Sequence, residues 1–178
     1  CPKTIQTKEG DYITALCDRP AAFFSVLQGD GGSVAMLDAN LCEQAGATLA
    51  QMHIAAQKIK TKTPNHFGLG KWQEWERVMG ARMNNIDAGL HSLVQSELGF
   101  IVQNWPKNLP CGQIHADYFP DNVFFQEGRL TGVIDFHFVC YDVFAYDLAI
   151  AINAWSFDEH NHFQEDRMMA MMRGYESV

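Results

Sequence analysis

The sequence predicts an α+β fold, and three features predict it. Residues 12–16 and 21–27 are short β-rich runs near the N-terminal end. From residue 38 to residue 104 apolar residues recur at helical spacing. Residues 123–125 and 130–136 form a second pair of strand-like runs around a turn containing Gly128, and two further helical stretches follow. The chain has 178 residues, 47% of them hydrophobic, which is enough apolar surface for one core. That content excludes an intrinsically disordered chain. No apolar run approaches the ~20 residues of a membrane-spanning helix.

Each element follows from local chemistry. Asp18-Arg19-Pro20 is turn chemistry, so the first two runs read as a hairpin. Gln28-Gly29-Asp30-Gly31-Gly32-Ser33 breaks the pattern as a flexible connector and divides the chain into residues 1–29 and 30–178. Asp38 is placed to cap a helix reaching Gln57, with Leu41, Ala45, Leu49 and Met52 facing a core. His53 ends that packed face. A loop opens at Thr63-Pro64-Asn65, and a helix over 71–83 puts Trp72, Trp75 and Met79 on one side. The clearest helix covers 87–104, with a stripe of Leu90, Leu93, Val94, Leu98, Ile101, Val102 and Trp105, and Pro106 and Pro110 end it. Residues 113–115 are a short extended piece leading into a polar loop. After the hairpin, a buried helix over 144–155 is apolar except for Asp147 and Asn153. A last helix from residue 163 carries Met168, Met169, Met171 and Met172 as core filler.

Charge and cysteine usage narrow the function. Thirteen basic against 21 acidic residues give a net charge of −8, which disfavours binding to nucleic-acid backbones. Cys1, Cys17, Cys42, Cys111 and Cys140 are scattered and form no CxxC pair. Reduced thiols in a cytoplasmic protein are therefore expected, not a disulfide framework or a structural zinc site. Asp158, Glu159, His160 and His162 crowd ahead of the last helix and read as capping chemistry. No signal peptide is visible near Cys1, and both ends read as cut from a longer protein.

The chemistry is concentrated in His115-Ala116-Asp117-Tyr118-Phe119-Pro120-Asp121-Asn122 and Val133-Ile134-Asp135-Phe136. Phosphoryl transfer from a nucleotide needs a carboxylate to orient the attacking hydroxyl and oxygen ligands to hold Mg²⁺ on the phosphates. Magnesium keeps several waters, so one Asn and one Asp suffice on the protein side. The spacing is H-x-D-x-x-x-x-N, then a short hairpin, then I-D-F, as in protein kinases. Ala116 in place of Arg, and His137 in place of Gly after Asp135-Phe136, depart from the protein-kinase pattern.

These departures resemble the small-molecule branch of that fold, the aminoglycoside phosphotransferase and choline kinase group. Within it, the stretch from Ile114 to Phe125 is similar to the catalytic segment of the bacterial homoserine kinase family. Leu130–Phe136 and Tyr146–Trp155 continue the likeness, as do Arg19-Pro20-Ala21-Ala22 and Leu49-Ala50-Gln51-Met52-His53. The resemblance implies a protein-kinase-like fold. In it, residues 1–29 would be the end of an N-terminal lobe and the hinge, and residues 30–178 a mainly helical C-terminal catalytic lobe. It implies Asp117 as catalytic base, Asn122 and Asp135 as Mg²⁺ ligands, and His115 and Asp147 as supports of the catalytic loop. Backbone groups of Ser25 and Leu27 would receive the adenine of ATP. The family's phosphate-covering loop and strand Lys have no counterpart before Phe23, so residues 1–178 alone are expected to bind ATP poorly.

The implied reaction is ATP-dependent phosphorylation of L-homoserine, a small-molecule acceptor, with no nucleic-acid or membrane partner. The residue chemistry alone reaches only Mg²⁺-dependent phosphorylation of a small hydroxyl compound, and an aminoglycoside, choline or hydroxylysine fits as well. A non-catalytic nucleotide-binding protein of kinase ancestry is the rival from another class. Asp142 suits either a substrate amine or a helix cap. Asn153 and Trp155 suit either the acceptor pocket or a buried helix tail, and His137 either the pocket or the surface.

Overall fold

The structure, a computed structural model, describes residues 1–178. At the N-terminal end, β1 (Thr4–Ile5) pairs antiparallel with β4 (Phe23–Phe24), and β2 (Thr14–Leu16) forms a hairpin with β3 (Arg19–Ala21). The hairpin's turn lies at Cys17-Asp18, not at Asp18-Arg19-Pro20. Both turn residues have left-handed φ, 50° and 60°, which matches the twist of a two-residue hairpin. Pro20 sits within β3 opposite Ala15, tolerated because the pair has only edges. The run 21–27 therefore does not pair with 12–16; its Phe23 and Phe24 pair with Ile5 and Thr4.

The glycine-rich connector is not loose. β5 (Asp30–Gly31) is a third strand on the hairpin of β7 (Val123–Gln126) and β8 (Arg129–Val133). Gly32 N donates to Val123 O at 2.9 Å, and the Thr131 hydroxyl donates to Gln28 O at 2.6 Å. Glycine serves close approach here: a Cβ on Gly29, Gly31 or Gly32 would overlap the carbonyl oxygen of Phe125, Asp121 or Pro120.

The core lies between this sheet and three helices. Helix α1 (Ala39–Ala56) starts at Asp38, whose carboxylate accepts from Leu41 N at 2.8 Å, and it buries Leu41, Cys42, Ala45 and Leu49. Met52 packs against the same cluster. Helix α4 (Phe144–Trp155) contributes Ala151 and Trp155, and α5 (Glu165–Glu176) contributes Ala170 and Met171. Val123, Phe125 and Val133 close the cluster from the hairpin, and Tyr118 from the loop before it. Of the four late methionines only Met171 is core; Met169 is exposed and Met168 and Met172 are half-buried. A second cluster, Ile114, Cys140 and Phe144, ties α4 to β6 (Cys111–Ile114) and its antiparallel partner β9 (Cys140–Val143). All five cysteines are free thiols.

Helices α1 and α5 approach at backbone contact. A Cβ on Gly46 would overlap Met171 O, and one on Gly174 would overlap Glu43 O. Gly46→Ala must push the two helices apart and loosen the core around Ala45 and Met171. It is expected to lower stability by about 3 kcal/mol, read as a fall in the urea midpoint at unchanged m-value. An unchanged midpoint would show that the helix pair yields freely.

Helices α2 (Leu69–Met79) and α3 (Leu90–Asn104) pack against each other and meet α4 through the rings of Trp72, Trp105 and Tyr146. Gly80, at φ 49°, ends α2 earlier than the periodicity predicts, and Gly89, at φ 88°, delays α3. Trp72 packs edge-on against Trp105 at 5.9 Å and lies 5.8 Å from Tyr146. The α3 stripe does not reach the core. None of its residues is buried and Leu93 is 57% exposed, because α3 packs mainly against α2 and the turn between them.

Candidate active site

The polar loop after β6 is built to hold two carboxylates and an amide in place. Asn122 ends the 3₁₀ turn Pro120–Asn122, and its Nδ2 donates to Asp117 O at 2.9 Å and to Asp117 Oδ2 at 3.2 Å. With the amide nitrogen spent on Asp117, Asn122 Oδ1 is left free to coordinate a cation. Asp135 follows β8 in left-handed backbone, φ 58°, and one of its oxygens accepts from His137 N at 3.3 Å. Its other oxygen has no partner in the chain. One amide oxygen and one carboxylate, both hard donors, fit a Mg²⁺ ion that keeps its remaining waters. Burial pushes the Asp117 pKa up, and the charges of Asp135 and Asp121 add to this. The hydrogen bond from Asn122 and the nearby His115 oppose it.

The loop is braced from beneath. Asp147 is fully buried. Its Oδ1 accepts from Ala116 N at 2.8 Å, and its Oδ2 accepts from His115 N at 2.8 Å and from His53 Nε2 at 2.9 Å. His53 Nδ1 in turn lies 2.8 Å from the Tyr175 hydroxyl on α5. Ala116 has φ 62°, a conformation that costs a non-glycine residue roughly 1–3 kcal/mol and that the Asp147 bond holds. His115 Nε2 donates to Ile134 O at 2.9 Å, joining the loop to the strand that delivers Asp135. His115 Nδ1 and Gln113 Oε1 have no protein partner, and both residues line an apolar cavity of about 250 Å³, roomy enough for ordered water. The sequence pointed to His115 and Asp147 but not to His53. A histidine continuing the buried 41–45–49 stripe was the available signal, since a buried ring needs a partner.

Two cavities flank this loop. One of about 470 Å³ is lined by Thr63–Phe67, Ala116, Asp117, His137–Cys140 and Tyr146. The other, of about 600 Å³, is lined by Phe24–Leu27, Phe124, Ile134, Asp135 and Phe136, with Pro2. Ser25 and Leu27 thus share a cavity with Asp135. Ser25 N is spent on Lys3 O at 2.8 Å, so its carbonyl and the backbone of Leu27 are the groups left to meet a ligand.

The remaining sequence candidates divide. His137 lines the Asp117 cavity. Asp142 lies behind its wall, where Oδ2 accepts from Asn65 Nδ2 at 2.7 Å and Oδ1 from Val143 N at 2.8 Å. Trp155 is not a pocket residue: it is buried in the main core, where Nε1 donates to Tyr118 O at 2.8 Å. Asn153 points to solvent on α4 and lines neither cavity. They fail for different reasons: Trp155 shares the loop-facing side of α4 with Asp147 but is spent inside the core, while Asn153 lies on the exposed side. The sequence missed Asn65, His66 and Phe67, which a loop 50 residues upstream delivers to Asp117. Asp158 accepts from His160 N at 2.9 Å and His162 N at 2.8 Å, closing the turn before α5.

A family model described as the phosphotransferase enzyme family matches residues 1–178. The chain belongs to that family. Among curated relatives, a homoserine kinase of Rhizobium etli is 41% identical over 179 residues, covering 100% of this chain and 55% of the relative. A homoserine kinase of Gluconobacter oxydans is 42% identical over 180 residues, covering 100% and 56%. The chain thus spans about half the length of the curated relatives it matches. Among solved structures, an amicoumacin kinase in complex with AMP-PNP, Ca²⁺ and its antibiotic aligns with a TM-score of 0.72 at 16% identity, covering 99% of this chain and 56% of that one. A spectinomycin phosphotransferase in complex with ADP and spectinomycin aligns at 0.70 with 18% identity, covering 98% and 58%. The family member described here therefore has the protein-kinase-like fold of the aminoglycoside phosphotransferases. None of its helices is long and apolar enough to cross a membrane.

Proposed function

We propose that the full-length protein transfers the γ-phosphoryl group of ATP to the hydroxyl of L-homoserine. The observation that carries the reading is the placement of Asp117 on the wall of one cavity and Asp135 on the wall of the other, with Asn122 bonded to Asp117. The choice of homoserine rests on the relatives of that name. In this reading residues 1–29 are the end of an N-terminal lobe and the hinge, and residues 30–178 the catalytic lobe. The adenine sits against Ser25 and Leu27. Asp117 accepts a hydrogen bond from the acceptor hydroxyl, aims its oxygen at the γ-phosphorus and takes its proton as the new P–O bond forms and the bond to ADP breaks. Asn122 and Asp135 would hold Mg²⁺, which when bound would neutralise charge on the phosphate oxygens. Asp147, His115 and His53 keep the loop in position.

The test is ADP release by the full-length protein with Mg-ATP and, separately, homoserine, choline, hydroxylysine and an aminoglycoside. Turnover on homoserine above the others is the expected result. Turnover on another member of the panel would keep the phosphotransfer and discard the acceptor. No turnover by folded protein would favour a non-catalytic nucleotide-binding role.

A further inference from the structure

A chain of hydrogen bonds runs from the last turn of α5 to the catalytic loop. The Tyr175 hydroxyl lies 2.8 Å from His53 Nδ1, and His53 Nε2 lies 2.9 Å from Asp147 Oδ2. Asp147 in turn accepts from the backbone N–H groups of His115 and Ala116, each at 2.8 Å. Gly174 brings the far end into reach. It lies against Glu43 O where a Cβ would overlap, so α5 approaches α1 closely enough for the next residue, Tyr175, to meet His53. The imidazole itself is pinned. It is 3% exposed, stacks on Phe144 at 4.4 Å, and meets the Tyr175 ring edge-on at 5.6 Å. Proton positions along the chain follow from Asp147. A carboxylate only accepts, and a neutral imidazole carries one N–H. That proton belongs on Nε2, facing Asp147, which leaves Nδ1 as an acceptor with the Tyr175 hydroxyl as its partner. Burial, aided by the charge of Asp147, pushes the Tyr175 pKa up, so the phenol keeps the proton it donates. In the other tautomer Nε2 would turn a lone pair toward Asp147 Oδ2, the oxygen that also holds His115 N, two residues before Asp117.

We propose that Tyr175 is a positioning residue for phosphoryl transfer: its hydroxyl holds His53 in the Nε2–H tautomer, and through Asp147 this fixes the loop that carries Asp117. The inference rests on the kinase reading above and deepens it. Tyr175 touches neither cavity beside the loop, so its effect on the reaction passes through His53 and Asp147.

The experiment uses the full-length protein as wild type, Tyr175→Phe, His53→Gln and the double variant, with Mg-ATP and the acceptor that the wild type phosphorylates best. Tyr175→Phe keeps the ring that packs on His53 and removes only the hydroxyl. It is expected to lower kcat about fivefold, with the KM for ATP and for the acceptor held. The double variant is expected to match His53→Gln alone, because without the imidazole the hydroxyl has nothing to orient. Nitrogen NMR of the wild type is expected to show His53 protonated on Nε2 and not on Nδ1 at neutral pH, and Tyr175→Phe to lose that signature. The wild-type spectrum decides the tautomer even where a variant fails to fold. Unchanged kcat in Tyr175→Phe, losses that add in the double variant, or a proton on Nδ1 in the wild type would each overturn the assignment while the kinase reading stands. A wild-type protein that turns over no acceptor would overturn both.

Discussion

Replacing Asp117 by Asn is expected to lower kcat by about 10³-fold, within the range that a positioned general base contributes. The amide keeps the size of the carboxylate and can still bond Asn122, so the loop geometry survives. It cannot take the acceptor's proton. Asp117 lines the acceptor-side cavity and not the one shared by Ser25, Leu27 and Asp135, so the KM for ATP is expected to change little. Two further readouts separate a lost base from a damaged fold. The acid limb of the wild-type kcat/KM profile should lie above the ordinary carboxylate range, because burial, aided by Asp135 and Asp121, raises the Asp117 pKa. Activity then falls as pH drops through that raised value. The same shift fixes the sign of the stability effect. The folded state holds this proton more tightly than the unfolded state, so stability is lost as pH rises from the unfolded to the folded pKa. At neutral pH the ionised Asp117 is a net cost, and the neutral Asn variant should melt at or slightly above the wild-type temperature. A variant that loses both activity and melting temperature would assign Asp117 a structural role.

What the sequence made legible was local, and what it hid was long-range. Asp117, Asn122 and Asp135 lie within one continuous segment, where spacing across a loop and a hairpin fixes their relation. The helix over Phe144–Trp155 matched its expected bounds, although its nearly uniform apolar composition hid which face meets the loop. The Asp38 cap and the α1 stripe were equally plain. By contrast, His53 meets Asp147 across 94 residues and Asn65 meets Asp142 across 77. No local pattern encodes those distances. The pairing of Cys111–Ile114 with Cys140–Val143 was hidden in the same way, since each strand is too short to show a period. The glycine-rich connector misled for another reason. Glycine marks close approach as readily as flexibility, and only the backbone of β7 beside it tells which. Trp155 shows the limit of a polar atom on an apolar side chain, because its indole N–H is satisfied by Tyr118 O in the core and not by a ligand.

Asp147→Ala is expected to be the most damaging change away from the reacting groups. The carboxylate is fully buried and both oxygens are filled, by Ala116 N, His115 N and His53 Nε2. Removing it strands three buried or half-buried donors, each at roughly 1–3 kcal/mol if left unpaired. Partial relaxation makes the sum smaller than three full penalties, and about 3–5 kcal/mol is the expected loss. Against a typical stability of roughly 5–15 kcal/mol this is a large fraction, and a protein at the low end of that range would lose its folded population. Asp147→Asn keeps the experiment informative where the Ala variant fails to fold. Its amide retains one acceptor and turns the other position into a donor facing a donor, so about half the loss is expected, read by urea denaturation. The effect on chemistry follows through Ala116. Without its Asp147 anchor the left-handed φ of 62° has less to hold it, and Asp117 is the next residue. The Asn variant should therefore lose kcat while the KM for ATP holds. His53→Gln, which disturbs the same carboxylate from the α1 side, should lose stability with a smaller effect on kcat, since both backbone anchors of the loop remain. Wild-type stability in Asp147→Asn would show that the carboxylate's second oxygen is dispensable.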